Sequence, residues 1–136
     1  MSKFKLSRRS IRELDGVHPD LVRVVVRAIQ YTDVDFGVIQ GVRTQKEHLI
    51  NVAKGATATK RTRHIPENNE CMMSCAVDLG AWVKGKWDFN NWRYYERIAM
   101  AMFRAAFEEG VEIEWGGFWW RPKDGMHFQL PWRTHP

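Results

Sequence analysis

The sequence lacks long apolar runs and has only two cysteines. Its longest apolar stretch, Leu21–Ile29, is interrupted by Arg23 and Arg27, whereas a membrane-spanning helix needs about 20 consecutive apolar residues. We therefore expect no transmembrane segment. No apolar segment follows the basic first residues, so we expect no secretory signal and synthesis in the cytoplasm. Cys71 and Cys75 are too few for a disulfide framework or an all-cysteine zinc site, and we expect two free thiols in a reducing compartment.

Internal repeats, low-complexity tracts and Pro/Gly/Ser-rich linkers are also missing, which favours one domain over residues 1–136. With 136 residues, 44% of them hydrophobic and 27% charged, the chain is long enough to bury one core and too apolar to be disordered. The formal net charge is +5. A basic protein favours anionic partners, and nucleic acid, anionic lipid and carboxylate-rich cell-wall polymer all fit that description.

Hydrophobic periodicity predicts helices alternating with short strands. A helix is expected after Pro19, and another from Gln45 to Lys54 behind a capping box formed by Thr44 and Glu47. The main core helix is expected to begin at Asn90 or Asn91 and to end at Gly110. Strands are expected within residues 35–44, 75–83, 86–89, 111–115 and 126–130, with a hairpin turn at 84–85 and a long basic loop over 56–70. The predicted class is α+β, a small antiparallel sheet with helices packed on it.

Two of the five histidines are placed where a loop meets a strand. His64 and His127 lie at such positions, whereas His18, His48 and His135 have structural explanations, the last beside a terminus that we expect to fray. A catalytic zinc ion commonly takes two histidines and a carboxylate and keeps one position open for water. His64, His127 and Asp78, a lone carboxylate in an apolar strand, satisfy that count. Alternatively, Asp78 faces solvent on the polar side of its strand.

Two further residues suit hydrolysis at such a site. Asp124, three positions before His127, could exchange protons with an attacking water and a leaving amine, although Asp-Gly is also a common turn dipeptide. Arg43, at the end of the first strand, offers a planar donor fork for a substrate carboxylate or an oxyanion, and a surface salt bridge is its simpler explanation.

The order of these segments resembles that in a known family. Five motifs follow the same order as in zinc peptidases of the D-alanyl-D-alanine carboxypeptidase type. They are QGVRT at 40–44, TRH at 62–64, AVD at 76–78, WGG at 115–117, and Asp-x-x-His at 124–127 followed by FQL. Within that family the chain is similar to the L-alanyl-D-glutamate endopeptidases that bacteriophages use as endolysins. The similarity runs from about residue 21 to residue 130.

The resemblance implies a function and a set of roles. It implies one zinc ion bound by His64, Asp78 and His127, with Asp124 as the catalytic acid/base. It also implies that Arg43 takes part in catalysis and that Arg43 and Trp115 contact the substrate, the stem peptide of peptidoglycan, whose L-alanyl-D-glutamate bond is cut to lyse the host. It further implies a separate membrane-permeabilising holin that releases the enzyme to the periplasm of a Gram-negative host. We expect a monomer and no nucleic-acid partner.

The chain departs from the family at one place. Members carry a compact Ser-x-His-x-x-Gly-x-Ala-x-Asp motif, whereas here Thr62 stands first and fourteen positions separate His64 from Asp78. We interpret residues 65–74 as containing an insertion that bulges out while both ligands keep their places. Alternatively, the insertion itself supplies a ligand. The candidates for that ligand are Glu67, Glu70, Cys71 and Cys75.

Three other functions remain open from the sequence. The same metal site could serve a D-alanyl-D-alanine carboxypeptidase or dipeptidase, because the choice of bond depends on pocket shape. A basic nucleic-acid-binding module without catalysis would suit the charge, the KRTR stretch at 60–63 and the seven tryptophans. A family member that has lost catalysis through the insertion could still bind cell wall.

Overall fold

The computed structural model describes residues 4–55, 61–120 and 123–136. Within these residues, four helices and five strands follow one another, with short 3-10 turns at Pro66–Asn68 and Gly116–Phe118. In chain order they are α1 (Arg8–Glu13), α2 (Pro19–Ala28), β1 (Phe36–Gln40), α3 (Gln45–Ala53), β2 (Ala76–Val83), β3 (Lys86–Asp88), α4 (Trp92–Glu109), β4 (Glu114–Trp115) and β5 (His127–Gln129).

The strands form one antiparallel sheet in the order β1-β2-β5-β4, and β3 also pairs with β2. The predicted α+β class is confirmed. β2 is the central strand, and its register places Asp78 directly opposite His127 of β5. A hairpin joins β2 to β3 through Lys84 and Gly85, both with positive φ, as the turn dipeptide predicts.

Helices α2 and α4 pack together over one side of the sheet. The buried side of α2 consists of Leu21, Val24, Val25 and Ala28, and they join Val77, Leu79 and Phe128 from the strands in a single core. Since successive side chains of a strand point to opposite faces, Asp78 lies on the other face of β2 from Val77 and Leu79. The sheet therefore separates the helical core from the face that carries Asp78.

The helix ends follow from local chemistry. Asn91 caps α4 by accepting a hydrogen bond from the Arg93 backbone at 3.1 Å, and Gly110 ends that helix in the left-handed conformation at φ 67°. Thr44 and Glu47 form the predicted capping box of α3.

The sequence does not predict α1, which is too short to show periodicity. Ser7 caps it, and the Ser10 hydroxyl accepts a hydrogen bond from the Val38 backbone at 2.9 Å. The Arg9 guanidinium donates to the Val38 carbonyl at 3.0 Å. Helix α1 thus covers the outer edge of β1, which would otherwise expose unpaired backbone groups.

The last residues are held in place, so the expectation that His135 frays is wrong. His135 Nε2 lies 2.8 Å from a carboxylate oxygen of Asp20, and the Glu70 backbone donates to the Pro136 carbonyl at 3.0 Å. The buried Arg63 guanidinium donates to the carbonyls of Leu130 and His135. Part of the predicted loop over 56–70, residues 56–60, lies outside the described residues. Within the described part of the chain, no helix is long and apolar enough to span a bilayer.

Candidate active site

Three segments distant in sequence bring His64, Asp78 and His127 together. His64 lies on the segment before the 3-10 turn at Pro66–Asn68, Asp78 lies in β2, and His127 begins β5. One carboxylate oxygen of Asp78, Oδ1, is 3.3 Å from His64 Nε2 and 3.3 Å from His127 Nδ1. The two imidazole rings meet edge to face with centroids 5.2 Å apart. Their ligand atoms lie within 4.8 Å of one another, close enough to share one metal ion.

Hydrogen bonds assign the proton-bearing nitrogen of each imidazole. His64 Nδ1 lies 2.8 Å from the Gly41 carbonyl, which can only accept, so Nδ1 carries the hydrogen. The opposite nitrogen, Nε2, is buried and has no well-directed hydrogen-bond partner among the described residues. His127 Nε2 lies 2.8 Å from the Gln129 side-chain oxygen, to which it donates, and Nδ1 on the other side of the ring faces Asp78. The inner nitrogens of both rings, His64 Nε2 and His127 Nδ1, therefore face the same Asp78 oxygen.

The charges at this cluster depend on one another. Burial alone would raise the pKa of Asp78, but the neighbouring His64 and the hydrogen bond from His127 outweigh it and hold that pKa well below its usual range. Burial would likewise lower the pKa of His127, yet the hydrogen bond to Asp78 and the Asp78 charge raise it. Asp78 is thus a carboxylate, the ionisation state that a metal ligand needs.

Asp124 lies beside this cluster on the turn before β5. Its pKa is raised, first by burial and then by the negative charge of Asp78. The Met126 backbone donates to its Oδ1 at 3.2 Å, and its own backbone donates to the Gly116 carbonyl at 3.0 Å. A Cβ on Gly116 would meet the Asp124 carbonyl oxygen at 2.4 Å, so this close approach requires glycine. The WGG sequence therefore fixes the turn that presents Asp124.

Comparison with known proteins identifies the family. The model of the phage L-alanyl-D-glutamate peptidase family matches residues 1–128. The chain belongs to this family. An L-alanyl-D-glutamate peptidase of Escherichia phage T5 is 28% identical over 116 residues, which cover 85% of this chain and 82% of that protein. The crystal structure of the L-Ala D-Glu endopeptidase ChiX of Serratia marcescens superposes with a TM-score of 0.84 at 41% identity, covering 97% of this chain and 94% of that one.

Family membership confirms the predicted peptidoglycan peptidase and its fold. It favours cleavage of the L-alanyl-D-glutamate bond over the D-alanyl-D-alanine and nucleic-acid-binding alternatives. The roles of individual residues stay predictions, and the geometry bears on each of them separately.

Arg43 of this phage-type peptidase is nearly buried and lies behind the cluster of His64, Asp78 and His127. Its guanidinium is 3.6 Å from the second oxygen of Asp78, Oδ2, and its Nε donates to the Gln40 side chain at 2.8 Å. Asp78 therefore meets both histidines through one oxygen and Arg43 through the other. These contacts give Arg43 a role in orienting Asp78, and its predicted contact with substrate stays a prediction.

The tryptophans near the site differ in exposure. Trp115 is 5% exposed, donates from its indole nitrogen to the Gly125 carbonyl at 2.7 Å and stacks on Trp92 and Phe128. Those contacts serve packing, and its predicted substrate contact stays a prediction. Trp119 is half-buried, with its ring centroid 5.0 Å from that of His127. The position of Trp119, four residues after Trp115 and just beyond the WGG motif, is the sequence feature that indicates its place beside the site.

The segment between His64 and Asp78 leaves the cluster and returns to it. The Ser74 hydroxyl lies 2.8 Å from the same Gly41 carbonyl that accepts from His64, so residues 65–73 form a loop whose two ends meet at one oxygen. Asn69 holds the loop from within by donating to the Arg63 and Met73 carbonyls.

The loop residues considered as alternative ligands do not join the cluster. Among the described residues, the groups able to hold a metal are His64 with Asp78 and His127, and a second group of His18, Asp20 and His135. Glu67, Glu70 and Cys71 are exposed on the loop, and Cys75 is buried in the helical core, on the other face of β2 from Asp78.

Proposed function

We propose that this protein is a zinc-dependent endopeptidase that hydrolyses the L-alanyl-D-glutamate bond of peptidoglycan stem peptides, with His64, Asp78 and His127 as the zinc ligands. The observation that carries the proposal is the convergence of two imidazole nitrogens on one carboxylate oxygen, with each ring held by a hydrogen bond from its other nitrogen. The names of the relatives support the choice of bond.

The donor set fits zinc. Two neutral imidazoles and one carboxylate are a common protein ligand set for catalytic zinc, which keeps a further position open. The buried Nε2 of His64 has no well-directed hydrogen bond within the described part of the chain, a need that a metal ion would satisfy. When bound there, zinc supplies a Lewis acid that polarises the scissile carbonyl and lowers the pKa of water.

The protein residues would handle the proton and the geometry. Asp124, held by the Met126 backbone and the Gly116 turn, accepts a proton from the attacking water at its carboxylate. It then passes that proton to the amino nitrogen of the D-glutamate as the bond to the L-alanyl carbonyl breaks. Arg43 keeps Asp78 turned so that Oδ1 faces both histidines, and Trp119 shields one side of His127 from water.

The proposal extends to partners and location. Residues 1–136 act as a single peptidase domain and as a monomer, and a separate holin releases the enzyme from the host cytoplasm to the cell wall in the periplasm. The net charge of +5 suits a substrate rich in carboxylates. No nucleic-acid partner is part of this proposal.

The test is digestion of purified peptidoglycan by the full chain. The chain is first stripped with a chelator and then resupplied with zinc, and Asp124→Ala serves as the matched variant. We expect new D-glutamate amino termini with zinc and none after stripping or with the variant. Release of D-alanine instead would assign the carboxypeptidase reaction, and activity that survives complete removal of metal would overturn the zinc proposal.

A further inference from the structure

The two cysteines lie close together, outside the cluster of His64, Asp78 and His127. Both are free thiols, Cys71 exposed on the loop and Cys75 fully buried just before β2. Their sulfur atoms are 3.8 Å apart, in van der Waals contact. Neither has a part in the proposed hydrolysis, so the contact needs a separate explanation.

We propose that Cys71 and Cys75 form an intramolecular disulfide when the enzyme reaches an oxidising compartment. The compartment rests on the proposed function, which places the protein in the reducing cytoplasm during synthesis and in the periplasm during action. The thiol pair itself is a property of the chain and does not depend on that function.

The backbone turns between the two cysteines. Met72 adopts a left-handed conformation with φ 59°, unusual for a residue other than glycine, and this turns the chain back on itself between the cysteines. The Asn69 side chain donates to the Met73 carbonyl at 2.7 Å and secures the turn. A disulfide has an S–S bond of about 2.0 Å, so the sulfurs must approach by on the order of 2 Å, a movement that the exposed side chain of Cys71 can supply.

The surroundings determine the order of the chemical steps. Burial raises the pKa of Cys75 to about 12, and the nearby Arg63 guanidinium offsets only part of this effect. The exposed Cys71 is therefore the first nucleophile. Its thiolate attacks a sulfur of a disulfide donor and releases one donor thiolate. Cys75 then loses its proton, attacks the Cys71 sulfur and displaces the second donor thiolate, so the donor gains two electrons and the protein loses two hydrogens.

The bridge would tie the loop over 65–73 to the strand that carries Asp78 without entering the site. Cys75, directly before β2, is buried in the helical core, whereas Asp78 lies on the other face of that strand. We therefore expect the disulfide to restrain the loop while His64, Asp78 and His127 keep their geometry.

The experiment is oxidation of the purified full chain with oxidised glutathione, followed by intact mass measurement and maleimide labelling after unfolding. We expect a monomer lighter by two hydrogen atoms, with no reactive thiol, formed faster as pH rises because Cys75 must ionise. Cys71→Ala is the matched control, since that side chain is exposed. It should keep one thiol that is labelled only after unfolding.

Three outcomes would overturn the proposal: a stable glutathione adduct on Cys71, a disulfide-linked dimer, or two unchanged thiols. A second arm directs the chain to a Gram-negative periplasm and traps its thiols with acid and alkylating agent. Recovery of the reduced form there would refute the assigned compartment even if the bond closes in the test tube. Both measurements follow the thiols and not peptidoglycan hydrolysis, so a failure of the disulfide proposal is distinguishable from a failure of the proposed function.

Discussion

Replacing Gln129 by leucine should weaken zinc binding without unfolding the protein. Gln129 is buried, accepts from His127 Nε2 at 2.8 Å and donates to a Glu114 oxygen at 3.0 Å. Without zinc, the variant can move the imidazole proton to Nδ1 and donate it to Asp78, which leaves no unpaired donor. With zinc on Nδ1, the proton must stay on Nε2, where leucine offers no acceptor.

The cost of that unpaired donor sets the magnitude. A buried donor without a partner costs about 1–3 kcal/mol, and each 1.4 kcal/mol is tenfold in affinity, so the zinc dissociation constant should rise by about 5- to 150-fold. This range includes the 10- to 100-fold typical of residues that support metal-bound histidines. Competition with a chromophoric chelator measures the constant.

Glu114→Gln is the control for this experiment. It removes a charge from the same chain of hydrogen bonds but keeps an oxygen that accepts from Gln129, so its zinc affinity should stay within about threefold of the parent. Circular dichroism and thermal unfolding confirm that both variants are folded. A folded Gln129→Leu protein with parental zinc affinity would refute the assignment of His127 Nδ1 as a ligand.

Three further predictions concern the site and the closure of the chain. Asp124→Ala should abolish turnover while zinc content stays near one per chain, whereas His127→Ala should lose both activity and zinc. Metal analysis together with muropeptide digestion measures both quantities, and loss of zinc from the Asp124 variant would make Asp124 a ligand or a structural residue. Gly116→Ala should lower the free energy of unfolding by about 1–3 kcal/mol, because its Cβ would meet the Asp124 carbonyl oxygen at 2.4 Å; an unchanged urea midpoint would show that the turn has room. The hydrogen bond from His135 lowers the pKa of Asp20 below its ordinary 3.8, so Asp20 contributes stability above that pH and loses it as the pH falls through the lowered pKa. The difference in unfolding free energy between the parent and Asp20→Asn should therefore be full at neutral pH and shrink in acid. A difference that grows in acid would contradict this.

Features determined by neighbouring residues could be predicted from the sequence. The capping box of Thr44 and Glu47 and the turn at Lys84 and Gly85 need only residues a few positions apart, and both occur as expected. Helix α1 could not be predicted in this way, because its place depends on hydrogen bonds to β1, such as that between Ser10 and Val38.

The site divides along the same line. The order of motifs suggested His64, Asp78 and His127, and the pairing of β2 with β5 brings the last two together. The partners that orient them, such as the Gly41 carbonyl behind His64, are set by tertiary contacts that no spacing reveals. The hydrogen bond between His135 and Asp20, which are far apart in the sequence, likewise could not be predicted from local sequence patterns.

The loop over residues 65–73 has a consequence for recognising distant relatives. Because His64 and Ser74 both reach the Gly41 carbonyl, we expect that the number of residues between them can change without moving either His64 or Asp78. A search pattern that fixes the interval between the first histidine and the aspartate would miss a peptidase with a longer or shorter loop, whereas a pattern anchored on Gly41, directly after β1, would not depend on that interval.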